Sequence, residues 1–190
     1  TALGTVAALG LSRPHMPFKA ILMAILISPM IVPLIITAAG MFFFYSKIGL
    51  THTYLGLILA HTALGTPFVV ITVTATLTGF DTNLIRASQS LGADTMRTFF
   101  KVIMPLILPG VISGGLFAFI TSFDEVVIVM FIGSVEQITI PKQMWAGLRQ
   151  ETSPVILCMA TCLVALSIAL LTTVEMLRRR SERLRGIKQR

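Results

Sequence analysis

The spacing of charges constrains this chain more than any other feature. Residues 20–46, 48–80, 102–123 and 152–174 contain no Asp, Glu, Lys or Arg. As helices rising about 1.5 Å per residue, all four runs can cross a hydrocarbon core roughly 30 Å thick. With 55% hydrophobic and 12% charged residues the composition lies outside the soluble range. These runs predict an all-α, polytopic membrane protein with about four complete spans. A shorter apolar stretch, residues 1–11, cannot cross alone and has no initiator Met, so the chain is expected to begin inside a helix whose earlier part is missing. It also lacks the basic start and small-residue cleavage site of a signal peptide.

A formal charge of +7 raises the question of nucleic acid, and the distribution of the charge answers it. Seven of the 15 basic residues fall between residues 178 and 190, directly after the last apolar run. Threading the spans puts residues 12–19, 79–101 and 178–190 on one side with 12 Lys and Arg, against Lys47, Lys142 and Arg149 on the other. The positive-inside rule makes the first side, including the C-terminus, cytoplasmic. The terminal cluster then anchors the last helix or meets anionic lipid headgroups, and no nucleic-acid partner is expected. Cys158 and Cys162 are one helical turn apart, too few for a metal site and wrongly placed for a disulfide, so they read as apolar packing.

The first full span, about residues 18–45, should kink at Pro29 and Pro33. The second, about 54–78, carries Pro67 and His61; with no evident partner, His61 reads as a packing residue. The third starts near Val102 and holds Gly110, Ser113, Gly114 and Gly115, which lets a neighbouring backbone come close. From residue 99 to 132 there are 34 residues, about 51 Å of helix, too long for one straight crossing. A break is expected at Asp124 and Glu125, leaving 126–132 as a short apolar segment. Residues 133–153 read as a mixed loop holding the sole tryptophan, Trp145, and the last span as 154–177.

Residues 79–101 are more elaborate than a turn requires. Asp81 or Thr82 can cap a first short helix whose Leu84, Ile85, Ser88 and Leu91 share a face. Gly92 permits a turn, and Asp94 can cap a second helix. Apolar residues exposed on such a knob need a cover, a partner protein or the membrane surface itself.

The stretch RASQSLGADTMRTFFKVIMPLILPG, residues 86–110, resembles the EAA signature of ABC importer permeases. That pattern runs Glu-Ala-Ala, three residues, Gly, nine residues, then Ile-x-Leu-Pro. Ala87, Gly92, Val102, Met104 and Pro105 fill its places, while Arg86 stands for the Glu and Ser88 for the second Ala. The resemblance implies a MetI-like permease helical bundle, a single transmembrane permease domain over 1–190 in a bacterial inner membrane, with 79–101 as its coupling segment. It implies that Leu84, Ile85, Arg86, Ala87, Ser88, Leu91, Gly92, Ala93, Asp94 and Met96 dock an ATP-binding cassette subunit. Its further implied partners are a second permease subunit and a periplasmic solute-binding protein. Residues 123–154 resemble the matching region of polyamine and opine importer permeases, which opens on an acidic Phe-Asp-Asp/Glu and continues with a Leu-Pro-x-x-x-Trp/Tyr element. Ile140 replaces that leucine, with Pro141 and Trp145 in place.

No GxxxxGK[ST] phosphate loop occurs, so the chain by itself is not expected to use ATP in the usual P-loop manner; the resemblance implies that ATP and Mg are bound by the partner subunit, and that the chain itself needs no cofactor and is no enzyme. Asp124 and Glu125 are the first candidates for meeting a substrate, and a cation would suit them. Pairing with a basic residue is their ordinary alternative. Phe123 lies beside them, and Tyr45 and Trp145 could add cation-π contacts, although membrane-interface anchoring suits both. Gly92 and Pro105 are plausible mechanical joints. The competing class is a transporter or channel driven by an ion gradient, with Asp124 and Glu125 as ion sites.

Overall fold

The computed structural model describes residues 1–13, 16–81, 83–150 and 154–184, and all regular elements among them are helical. The alternative cap Thr82, the loop end at residues 151–153 and the basic residues from Arg185 onward lie outside that set. Helix α1 (Ala2–Leu11) is followed by α2 (Lys19–Ile31) and α3 (Leu34–Ile48). These two were expected to form one kinked span, yet they meet at 105°. The break is at Pro33, since Pro29 lies inside α2. Val32, restrained by the proline after it, is extended at φ −69 and ψ 135. The Pro33 carbonyl then accepts from Ile36 N at 2.9 Å and opens α3 in a new direction.

The long spans are α4 (Tyr54–Thr78), the continuous stretch Thr95–Phe123, and α10 (Pro154–Leu184) as far as Thr173; the bent α2–α3 pair is the fourth if it counts as one crossing. The Thr53 hydroxyl caps α4 by accepting from Gly56 N at 3.0 Å. Within Thr95–Phe123, α6 (Thr95–Thr98) passes through a wide π turn (Phe99–Ile103) into α7 (Met104–Phe123). Pro105 explains the widening, because it has no N–H for the Lys101 carbonyl and its ring crowds that group. Helix α7 stops at Asp124, and α8 (Val127–Ile132) follows as the expected short apolar piece.

Helix α4 is the centre of the bundle. A Cβ built on Gly114 of α7 would lie 2.7 Å from Val69 Cα, and one on Gly65 would lie 3.0 Å from Ala118 Cβ, so the two backbones touch at glycines. On one side Ala8, Val69, Val73 and Ile107 join α1, α4 and α7 in a buried cluster. On the other, Ala38, Tyr45, Ala60, Leu64, Ile128 and Ile132 join α3, α4 and α8.

The region after α8 departs from the expected loop, because residues Ile140–Gln150 form the amphipathic helix α9. Ile140, Met144, Trp145 and Leu148 follow helical spacing. Pro141 occupies the first turn, where its missing N–H costs nothing. Helix α10 runs past the expected end at 177, and its Cys158 and Cys162 are free and exposed.

Candidate functional site

Two features stand out, a knob between α4 and α7 and a cavity at the other end of those helices. The knob begins with α5 (Asn83–Ser90). Asp81 Oδ1 accepts from Asn83 N at 2.9 Å, starting the helix, and Asp94 Oδ1 accepts from Arg97 N at 2.7 Å, starting α6. Between them Gly92 takes φ +79, a left-handed conformation that an L side chain resists. The two short helices are pinned together by Ser88 Oγ and Thr98 Oγ1 at 2.9 Å, with Thr98 buried.

This pin divides the face expected from the sequence. Ile85 and Ser88 are half-buried toward α6, whereas Leu84, Arg86, Ala87, Gly92, Asp94 and Met96 are exposed and Ala93 is half-buried. Leu91 is 88% exposed and Met96 65%. The knob therefore holds its shape by caps and one hydroxyl pair, and presents its larger apolar side chains outward. Through α6 and the wide turn it is continuous with α7.

The cavity, about 860 Å3, lies between α4 and α7 beneath the 136–141 segment. Tyr54 and His61 of α4, Phe119, Ser122 and Phe123 of α7, and Glu136 line it. His61 has a partner across the helix pair: its Nδ1 and Ser122 Oγ are 2.8 Å apart. Lys142 Nζ donates to the carbonyls of Ser134 at 3.1 Å and Gln137 at 3.2 Å, fixing the roof.

Of the five residues expected on a substrate path, Phe123 lines this cavity. Asp124 is exposed at the α7 terminus. Glu125 is 5% exposed; its Oε2 accepts from Ile128 N at 2.8 Å and Val129 N at 3.3 Å, while Oε1 is buried and bonds to nothing among the described residues. Tyr45 is 8% exposed within the α3–α4–α8 cluster, and Trp145 is half-exposed on α9. His61, Ser122 and Glu136 are among the polar lining residues that sequence reasoning did not place here. A histidine inside an apolar run was the available signal for the first, and nothing in the pattern singled out the other two.

Comparison with known proteins places the chain in a family. Residues 1–183 match the model for the binding-protein-dependent transport system inner membrane component. The spermidine/putrescine transport system permease protein PotC of Haemophilus influenzae is 29% identical over 181 residues, covering 95% of this chain and 70% of the relative. PotC of Escherichia coli is 28% identical over 94% of this chain and 68% of the relative. The putrescine permease PotI of Escherichia coli is 28% identical over 72% of this chain and 51% of its own length. Among solved structures, the inward-facing MetNI methionine ABC transporter superposes with a TM-score of 0.75 at 20% identity, covering 95% of this chain and 86% of that one.

Proposed function

The chain belongs to the binding-protein-dependent transport inner-membrane components, as a MetI-type ABC importer permease, and from that premise we propose that it forms the path for a polyamine and takes its power from a separate ATP-binding subunit seated on α5 and α6. A second permease subunit and a periplasmic binding protein complete the assembly, with the knob and the C-terminus on the cytoplasmic side. The observation that carries the coupling role is the exposed Leu91 on a doubly capped, internally pinned knob. A flexible linker would need neither caps nor pin. A rigid body continuous with α7 can pass a push from below into the α4–α7 pair that walls the cavity.

The polyamine rests on the likeness to PotC and PotI and on the cavity's make-up. Glu136 offers a carboxylate, Tyr54, Phe119 and Phe123 offer aromatic faces, and His61 with Ser122 offers a polar pair, a set that suits an organic cation with an alkyl stem. Asp124 and Glu125 remain proposed contributors at the α7–α8 break, with Phe123 beside them. Tyr45 and Trp145 are proposed to act from behind the path, one packing α3 on α8 and the other on α9.

Purification of the tagged permease from cells making the whole importer tests the coupling role. The wild-type chain should retain the ATP-binding subunit, and the Leu84→Asp, Leu91→Asp double variant should lose it. Retention by that variant would refute the docking reading. Uptake of labelled putrescine and spermidine tests the solute, and an intact importer that moves neither would remove the polyamine while leaving the permease.

A further inference from the structure

We infer that the groove receiving α5 presents a carboxylate to Arg86, so that this permease recognises its ATP-binding subunit by a cation set in an apolar surface; the inference rests on the docking reading above. Burial fixes which way α5 faces. Ile85 and Ser88 turn inward, with Ser88 Oγ held 2.9 Å from Thr98 Oγ1. At 3.6 residues per turn the opposite side of α5 then carries Asn83, Arg86, Ala87 and Ser90, all exposed, with Leu91 at its end. A partner that covers Ala87 and Leu91 therefore covers Arg86 too.

Arg86 is the single charged residue of α5. It forms no ion pair among the described residues, and the two nearest acids of the segment, Asp81 and Asp94, each hold a backbone N–H as caps. Taking an unpaired guanidinium out of water is unfavourable. Its planar set of donors fits a carboxylate through two parallel hydrogen bonds. A groove with an apolar floor for Leu91 and an acidic wall for Arg86 satisfies both demands. An anionic lipid surface fits less well, because interfacial helices carry several basic residues along the polar face and α5 carries one.

The test uses the complete importer, purified through the permease at low and high salt, with the retained ATP-binding subunit quantified. Arg86→Glu should weaken retention about tenfold or more, Arg86→Lys should weaken it less than Arg86→Glu because it keeps the charge but loses the paired hydrogen bonds, and Leu91→Asp should abolish it. Changing the groove's acidic residues to Arg one at a time should restore retention of Arg86→Glu at one position, which also shows that the variant is folded. Wild-type retention by Arg86→Glu, with loss by Leu91→Asp, would overturn the carboxylate and leave the docking reading standing. Retention by both would overturn docking itself. Failure of every groove reversal to rescue Arg86→Glu would also overturn the carboxylate. So would loss of binding to phosphatidylglycerol vesicles by Arg86→Glu with its ATP-binding subunit still retained, because the cation would then serve the membrane.

Discussion

Replacing Gly114 with alanine tests the α4–α7 contact that walls the cavity and on which the proposed transmission of force depends. The new Cβ would lie 2.7 Å from Val69 Cα, 0.7 Å inside the 3.4 Å at which ordinary contact begins, and would also collide with Thr72 Oγ1. That hydroxyl cannot swing away freely, because it donates to the carbonyls of Phe68 at 2.9 Å and Val69 at 3.2 Å. The obstruction is mostly backbone and locked side chain, so the helices themselves must part. Val69, Val73 and Ile107, all fully buried beside the contact, then lose packing. Overpacking of this kind costs about 1–3 kcal/mol. Denaturation by SDS in mixed micelles, followed by circular dichroism, should show that loss for Gly114→Ala. Gly40→Ala, whose Cβ would meet nothing within 4 Å, should show none. Equal stability of the Gly114 variant and the wild type would refute the close-contact argument, and so would an equal loss at both positions.

Three further outcomes follow from single hydrogen-bonding groups. Ser122→Ala removes the partner of His61 across α4 and α7 and should cost about 0.6–1.7 kcal/mol in the same assay, with a double-mutant cycle against His61→Ala recovering most of that as coupling. Asp94→Ala removes the cap of α6 and should destabilise the knob by about 1 kcal/mol, seen as faster amide exchange at Arg97 and Thr98, whereas Asp94→Asn should restore protection. Glu125→Ala frees the N–H groups of Ile128 and Val129 and should cost about 1–3 kcal/mol, while Glu125→Gln keeps an acceptor for both and should hold the fold; a fall in spermidine uptake by Glu125→Gln would then report on the charge alone.

Charge spacing made the spans legible because crossing a bilayer leaves few alternatives to a long apolar helix. Residues 54–78 emerged with the bounds that α4 has, and the acidic pair at 124 and 125 marked the break between α7 and α8. The knob was legible for a different reason, since Asp81, Gly92 and Asp94 each have a local backbone task. Three features escaped. Pro29 and Pro33 look equivalent in sequence, yet one lies inside a helix and the other follows the extended Val32 where the chain turns by 105°. Helix α9 was hidden because residues 133–153 mix polar, charged and apolar residues without a long apolar run, and read as a loop. The cavity could not be read at all, because it joins residues as far apart as Tyr54 and Glu136 and exists only after α4 and α7 pack.

The central claim, that α5 and α6 seat in an ATP-binding subunit, is tested most directly by thiol labelling at position 91. With Cys158 and Cys162 replaced by Ala, Leu91→Cys becomes the sole thiol of the chain, on a site now 88% exposed. Inside-out vesicles holding the permease alone should react quickly with a membrane-impermeant maleimide, and vesicles holding the assembled importer should be protected. The same labelling rate with and without the ATP-binding subunit would contradict the account.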